Sequence, residues 1–253
     1  MDERLDYRFW ELDFFRGVAI VMMVIYHLLF DLSYFGGYSI YAHSGFWRHF
    51  AQATAAIFIL LVGISLTLSA SKAQILGIDK SLFNHFLKRG LKIFLLGMAI
   101  TLVTYYLIGR GFIVFGILHF IGLAIILAYP FLKLRIVNIF IGFIFILIGL
   151  YLQITSLNIP ELFWVGLASK NFYTLDYFPL FPWFGIVLIG IFLGNSLYPE
   201  HRRRIDLPDL SGSIWTRPFN ALGRRSLLIY LIHQPAMIII LSLAGIIHFP
   251  WAV

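Results

Sequence analysis

The sequence predicts an all-α integral membrane protein, and three features of its 253 residues lead to that class. Hydrophobic side chains make up 60% of the chain and charged ones only 12%, which is more apolar surface than a soluble domain of this length can bury. The apolar residues fall into seven stretches long enough, or nearly so, to cross a hydrocarbon core of about 30 Å. Lysine and arginine collect in alternate connections. We therefore expect one domain, residues 1–253, built as a bundle of about seven transmembrane helices.

The order of spans and charges predicts an orientation. The predicted spans cover residues of about 12–31, 50–71, 86–108, 113–131, 135–153, 179–197 and 222–244. With the N-terminus inside, the cytoplasmic basic residues are Arg4, Arg8, Arg16, Lys72, Lys80, Lys88, Arg89, Lys92, Lys133, Arg135, Arg202, Arg203, Arg204, Arg217, Arg224 and Arg225. Those on the opposite side are Arg48, Arg110 and Lys170. Because positive charge favours the cytoplasmic side, sixteen against three predicts an N-in, C-out protein.

Composition also excludes several functional classes. The chain has no cysteine, which rules out disulfides, thiolate catalysis and cysteine-based metal sites. It offers no compact metal-ligand spacing, so we expect no metal. The formal charge of +7 is explained by the loop asymmetry, and we expect no nucleic-acid partner. Residues 1–10 form a charged leader without the apolar core of a signal peptide, so we expect the first span to be retained.

The first span carries ionisable residues that a simple membrane anchor would not need. Arg16 and His27 are eleven positions apart, which places them within about 20° of one azimuth on a helix. Asp31 follows His27 by one turn, and Asp13 precedes Arg16 by three positions. Such groups are costly in hydrocarbon and usually face a bundle interior or a wet cavity. The pattern therefore predicts a polar stripe along one face of this helix.

Further candidates lie outside the first span. His43 lies in the first long outer loop, His119 in the fourth span and His233 in the seventh. Any one of them alone is consistent with a structural role, but the set suggests a line of histidines through the bundle. The two long outer loops, at about 32–49 and 154–178, are rich in aromatic residues. These fit either an interfacial belt or a platform on which an acceptor stacks.

The last span has a polar stripe of its own, above a basic collar. Its members recur at helical spacing and are Ser226, Tyr230, His233 and Gln234. Pro235 follows, where we expect a kink. The collar comprises Arg16, Lys88, Arg89, Lys92, Arg224 and Arg225. It fits a topology signal with lipid contacts, or a phosphate site. The second is favoured at the segment LGRRS, where we expect a helix to open with free N–H groups beside two guanidinium groups.

These segments resemble a known family. LDFFRGVAIVMMVIYH resembles the opening helix of membrane-bound acyltransferases, with their LD-x-x-RG-x-A signature. The chain as a whole resembles the heparan-α-glucosaminide N-acetyltransferase catalytic-domain family, including its compact prokaryotic branch. The shared features are Arg16-Gly17, the loop His43 before a Trp, Gly63-Ile-Ser65, GILHFIGL, DYFPLFPWFG and LGRRSLLIYLIHQP. Together they cover nearly the full length.

The resemblance implies a function and residue roles. It implies acetyl-CoA bound from the cytoplasm and an acyl group delivered to a hydroxyl or amine, often of a sugar, on the far side. His43 matches the family's essential outer-loop histidine, and His233 matches a histidine of its last helix. His27 falls where the lysosomal enzyme has asparagine and the broader acyltransferases have a histidine. His119 falls where relatives often carry glutamine. The chain lacks the extra spans and luminal domain of the lysosomal enzyme, and we expect a prokaryotic cell membrane.

Our working hypothesis is therefore a transmembrane acyltransferase. We expect His43 to act as base or transient acyl acceptor, with His27 as its partner and Asp31 as an orienting group. Direct transfer and a covalent acyl-histidine both remain open. Oxyanion donors would be His27, His119 or Tyr230, and His233 completes the catalytic candidates. The candidate donor-binding residues are Arg16, Lys88, Arg89, Arg224, Arg225, Ser226 and Tyr230.

Two rival functions stay open at this point. A proton-coupled small-molecule transporter would use the intramembrane histidines as a relay, and it would not cleave a thioester. A non-catalytic membrane partner would tolerate single replacement of each histidine. The expected partners of the enzyme are membrane lipids, acyl-CoA and an extracytoplasmic glycan or amino sugar. A monomer and a homodimer are both compatible with the sequence.

Overall fold

The structure is a computed structural model, and it describes residues 8–78, 81–155, 159–169 and 172–247. Its α-helices in these ranges are α1 Trp10–Tyr34, α2 Gly45–Ile75, α3 Leu82–Ile108, α4 Ile117–Leu127, α5 Val137–Ile154, α6 Leu180–Leu197, α7 Arg217–Arg224 and α8 Ser226–Leu243. Six of these helices, all but α4 and α7, are long and apolar enough to cross a membrane. No strand occurs in the described ranges. The chain is thus an all-α, multi-pass integral membrane protein, whereas the seventh span and the orientation stay predictions.

The fourth predicted span is shorter in the structure than expected. Its α-helix has 11 residues, Ile117–Leu127, although the prediction began near residue 113. The residues before it do not continue the helix, because their backbone bonds to the segment before α6. The Leu175 N–H donates to the Gly111 carbonyl at 2.9 Å, and the Phe178 N–H donates to the Phe115 carbonyl at 3.0 Å. A second segment thus replaces the hydrogen bonds that a longer helix would have made.

The last predicted span is interrupted near its start. Arg225, with φ −110° and ψ 19°, separates α7 from α8. The LGRRS segment therefore ends one helix and begins the next, rather than opening a single helix at Leu222. The connection that follows α6 is also partly helical, since α7 begins at Arg217. Helix α8 continues through Pro235 to Leu243.

The chain divides into two compact units, which we describe separately. The central unit is Ile59–Asp206, and the terminal unit joins Tyr7–Phe58 to Leu207–Val253. In the central unit α3 packs on α4 and α5 packs on α6. In the terminal unit α1 packs on α7 and α8. The predicted single domain stays a prediction, and Arg4, Lys80 and Lys170 of the charge count lie outside the described residues.

Helices α1 and α7 touch through their backbones. A Cβ on Gly17 would overlap the carbonyl oxygen of Phe219, and a Cβ on Gly223 would overlap that of Asp13. Only glycine permits so close an approach at these two positions. The contact sets Arg224, the residue after Gly223, beside the start of α1. The N-terminal end of α1, with Asp13 and Arg16, is thereby held next to the C-terminal end of α7, with Arg224.

Candidate active site

Two histidines from different helices meet in the terminal unit. The rings of His27 on α1 and His233 on α8 have centroids 4.8 Å apart and planes at 78°. The Nδ1 atom of His27 lies 2.9 Å from the carbonyl oxygen of Met23, and that of His233 lies 2.7 Å from the carbonyl oxygen of Tyr230. Because a carbonyl only accepts hydrogen bonds, each Nδ1 carries the proton. In the neutral rings both Nε2 atoms are therefore bases. The Nε2 of His233 is buried and has no hydrogen-bond partner.

A carboxylate and an amide lie next to this pair along the same helices. Asp31 is fully buried, and the Gln234 Nε2 donates to its Oδ1 at 2.5 Å. The Asp31 Oδ2 and the Gln234 Oε1 are buried without a hydrogen-bond partner. Leaving such an acceptor unpaired costs roughly 1–3 kcal/mol, and an uncompensated carboxylate costs more. The histidine–aspartate cluster (His27, Asp31, His233 and Gln234) is therefore suited to a ligand that brings O–H or N–H donors.

Aromatic rings surround the histidine–aspartate cluster. Tyr26 lies edge-on to His27, with centroids 5.6 Å apart, and Tyr230 lies 5.6 Å from His233. The loop residue His43 is exposed and packs edge-on against Phe30, the neighbour of Asp31, at 5.3 Å. The fold thus brings His43 to the same end of α1 as the cluster, through Phe30.

At the other end of α1 a buried carboxylate holds three arginines. Arg8 donates from Nε to the Oδ2 of Asp13 at 2.5 Å, and Arg16 donates from Nη1 to Oδ1 at 3.0 Å. The Nε of Arg224 lies 3.6 Å from the same Oδ2. Asp13 is 2% exposed, whereas the side chains of Arg8 and Arg224 are 57% and 51% exposed. In this arginine cluster (Arg8, Asp13, Arg16 and Arg224) two of the arginine side chains are thus half open to solvent.

The remaining donor-binding candidates are divided between the units. Arg225 is exposed at the break between α7 and α8, and Ser226 is the first residue of α8, so both adjoin Arg224. Lys88 and Arg89 are exposed on α3, in the central unit. The terminal unit alone therefore assembles the arginines that share Asp13.

The structure gives His119 a different environment from the other two intramembrane histidines. The Gly116 N–H donates to its Nδ1 at 3.2 Å, so the proton lies on Nε2. That Nε2 faces the hydroxyl of Thr101 at 3.3 Å, and the hydroxyl in turn donates to the Ile113 carbonyl at 2.7 Å. The ring is 1% exposed in the central unit. Both nitrogens are occupied, which links His119 to the start of α4, and its catalytic role stays a prediction.

A half-buried carboxylate outside the spans should give the protein a pH-dependent stability. Asp176, in the loop before α6, accepts the N–H of Ile117 at 3.0 Å. Burial raises the pKa of Asp176 from its ordinary 3.8 to about 6, although the hydrogen bond from Ile117 opposes this. The folded state then binds the proton more tightly than the unfolded state. We expect the free energy of unfolding to decrease as the pH rises from about 4 through about 6.

Thermal unfolding across this pH range tests the role of Asp176. The Asp176→Asn variant should lose the decrease, because an amide cannot ionise. The matched control is Glu161→Gln, since Glu161 is exposed in the same loop. If Asp176→Asn keeps the wild-type slope, this carboxyl is not the source of the pH dependence.

Sequence reasoning missed two members of these clusters. Arg8 was counted only among the basic residues that predict the orientation, yet Arg8 makes the shortest of the three arginine contacts to Asp13. Gln234 was named only as a member of the polar stripe on the last span, because its partner Asp31 lies 203 positions away. Helical spacing carries no information on such a pairing. The LD-x-x-RG motif was the one local signal for the arginine cluster, since it sets Asp13 and Arg16 one turn apart.

Comparison with protein families gives one finding that bears on function. Residues 8–235 match the family described as heparan-alpha-glucosaminide N-acetyltransferase, catalytic. The match begins at Arg8 and ends just after Gln234, so it contains both the arginine cluster and the histidine–aspartate cluster. Searches of curated proteins and of solved structures return no match.

Proposed function

The chain belongs to the heparan-α-glucosaminide N-acetyltransferase catalytic-domain family, and from this premise we propose that it transfers an acetyl group from acetyl-CoA to a hydroxyl or amine of a sugar acceptor. The observation that carries the proposal is the contact between His27 and His233, each with Nδ1 bound to a carbonyl and Nε2 left basic. Acyl transfer to an alcohol or amine needs a base that works near neutral pH, and neutral imidazole is one.

The arginine cluster supplies the proposed donor site. Coenzyme A carries several phosphate charges, and guanidinium groups bind phosphate through paired N–H donors. Asp13 holds the three arginines in place, and the side chains of Arg8 and Arg224 stay half open to solvent. The axial rise from Arg16 to His27 is about 16 Å. A pantetheine arm that runs along α1 from the phosphates would bring the thioester to the level of His27. This route needs the ligand to enter from the charged end of α1, the cytoplasmic end in the predicted orientation.

The reaction at the cluster balances without a further reactant. The acceptor O–H or N–H donates to an imidazole Nε2, and the proton moves there as oxygen or nitrogen bonds to the thioester carbonyl carbon. The tetrahedral intermediate then expels the sulfur, and the C–S bond breaks. The imidazolium returns the proton to the thiolate, which yields free coenzyme A and the neutral histidine. Direct transfer from acetyl-CoA to the acceptor, with His27 or His233 as the base, needs only this cycle. His43 is the alternative base.

The unpaired atoms of Asp31 and Gln234 define the acceptor side of the proposal. A sugar hydroxyl or amine can donate to the Asp31 Oδ2 and to the Gln234 Oε1, which relieves the cost of burying both atoms unpaired. The Gln234 Nε2 donates to the other oxygen of the Asp31 carboxylate, Oδ1, and so fixes its position. We assign Asp31 to acceptor binding and Gln234 to the positioning of Asp31.

Thermal stabilisation by acetyl-CoA tests the donor site. A ligand at a hundred times its dissociation constant stabilises by about 2.7 kcal/mol, so wild-type protein should unfold at a clearly higher temperature. The double variant Arg16→Ala/Arg224→Ala should lose this shift. The matched control is Arg48→Ala, an exposed arginine on α2, which should keep it. A folded wild-type protein that shows no shift with acetyl-CoA at millimolar concentration would contradict the donor assignment.

Thioester cleavage tests the reaction itself. The chain contains no cysteine, so every thiol released in the assay comes from coenzyme A. Release that depends on an amino sugar or sugar acceptor supports acyl transfer. Acetyl-CoA that binds but is never cleaved, with any sugar or amine offered, would contradict the proposal and favour a transporter or a non-catalytic partner.

A further inference from the structure

In the connection between α6 and α8, two neighbouring apolar side chains are exposed and two polar residues close to them are buried. Ile214 and Trp215 are 80% and 81% exposed. Thr216 and Asn220, which follow this apolar pair, are 8% and 2% exposed. Water favours the opposite arrangement. A contiguous apolar surface of this kind usually contacts another apolar phase.

Hydrogen bonds hold the apolar pair outward. The Thr216 hydroxyl donates to the Leu210 carbonyl, and the Arg217 N–H donates to the Ser213 carbonyl at 2.9 Å. The turn is therefore closed beneath the pair, and helix α7 begins directly after it. The backbone that carries the apolar pair is therefore already ordered, which lowers the conformational entropy cost of binding.

A crevice lies beside the apolar pair. It has a volume of about 500 Å³ and is lined by Gly212, Ile214, Arg217, Pro218 and Ala221. Its wall is thus apolar apart from one guanidinium group. The whole connection, residues 198–225, contains six arginines against three acidic residues. Both the shape and the charge fit an amphiphile with an anionic head.

We propose that this face binds anionic phospholipid at the membrane surface. The connection joins α6 to α8, which are both candidate membrane spans, so both of its ends lie at a membrane surface. Tryptophan favours the headgroup level of a bilayer, where its ring is apolar and its N–H is hydrated. Arg217 binds the lipid phosphate, and the upper part of an acyl chain lies over Pro218 and Ala221. Anionic lipids attract such basic segments more strongly than neutral ones. This inference does not depend on the acyl-transfer reaction.

A single fluorescent label tests the lipid face, because the protein has no native thiol. The Ile214→Cys protein carries an environment-sensitive dye and is reconstituted into vesicles of phosphatidylcholine or of equimolar phosphatidylcholine and phosphatidylglycerol. The matched control is Ser81→Cys, at an exposed polar position. Trp215→Cys provides a second label position if Ile214→Cys lowers the thermal transition of the protein.

We expect a blue-shifted emission at position 214 and quenching by lipid-attached nitroxide several-fold stronger than at position 81. The effect should be larger in the phosphatidylglycerol vesicles, and Arg217→Gln should remove that difference. Equal quenching by aqueous iodide at both positions would overturn the proposal. So would emission that is the same in both vesicle types. Energy transfer between labelled copies that grows with the protein-to-lipid ratio would instead assign the face to contact between copies, and would also overturn it.

Discussion

Replacing Gly223 with alanine is expected to destabilise the protein more than the addition of a single methyl group at any other position of the terminal unit. The new Cβ would overlap the carbonyl oxygen of Asp13 and lie 2.7 Å from its carbonyl carbon. These are backbone atoms, so the contact can be relieved only by moving α7 away from α1. Overpacking of this kind costs about 1–3 kcal/mol or more. Gly17→Ala should act alike, since its Cβ would lie 2.6 Å from the carbonyl carbon of Phe219.

The same substitution should also weaken donor binding. Arg224 directly follows Gly223, so a displaced α7 carries this guanidinium away from Asp13 and from the other two arginines. Thermal unfolding of the purified protein measures the stability, and the acetyl-CoA shift measures the binding. The matched control is Gly212→Ala, because a Cβ there meets nothing within 4 Å. A Gly223→Ala protein that unfolds at the wild-type temperature would mean that the two helices do not pack backbone to backbone.

Local patterns in the sequence were enough to predict the helices and part of the site. Apolar stretches give long membrane helices, because the backbone must satisfy its own hydrogen bonds in lipid. The polar stripe on α1 follows from helical spacing, and it named His27 and Asp31. The stripe on the last span named His233 and Gln234, but their partners on α1 lie some two hundred positions away and helical spacing could not pair them. Nothing in the local pattern couples Gln234 to Asp31.

Two errors in the sequence-based prediction have local physical causes. The segment before α4 is apolar and was expected to be helical, but its backbone bonds to the segment that contains Leu175 and Phe178. The break at Arg225 was missed because arginine is a good helix former, and nothing in its side chain indicates an interruption. His119 illustrates a related difficulty: hydrogen bonds to Gly116 and Thr101 set its proton on the opposite nitrogen from His27. No spacing rule distinguishes those two tautomers.

Replacing either histidine of the pair is expected to abolish most acyl transfer while acetyl-CoA still binds. General-base catalysis contributes typically 10²–10⁴-fold, so His27→Ala and His233→Ala should each lower the transfer rate by about that factor. In the proposed donor site the phosphates are bound about 16 Å away along α1, so the thermal shift with acetyl-CoA should remain. If the two rings act as one unit, the double variant should be no slower than the slower single variant, since effects within a unit are not additive.

The control for this experiment is His49→Ala, because His49 is an exposed histidine that contacts Gln52. It should transfer acetyl at the wild-type rate. A His27→Ala or His233→Ala protein that binds acetyl-CoA and keeps its rate would remove the pair from the mechanism. Loss of activity in His43→Ala alone would then identify the loop histidine as the base, with its contact to Phe30 as the means of reaching the cluster. Loss in all three would instead indicate that the acyl group passes between the loop and the pair of His27 and His233, the route that a covalent acyl-histidine requires.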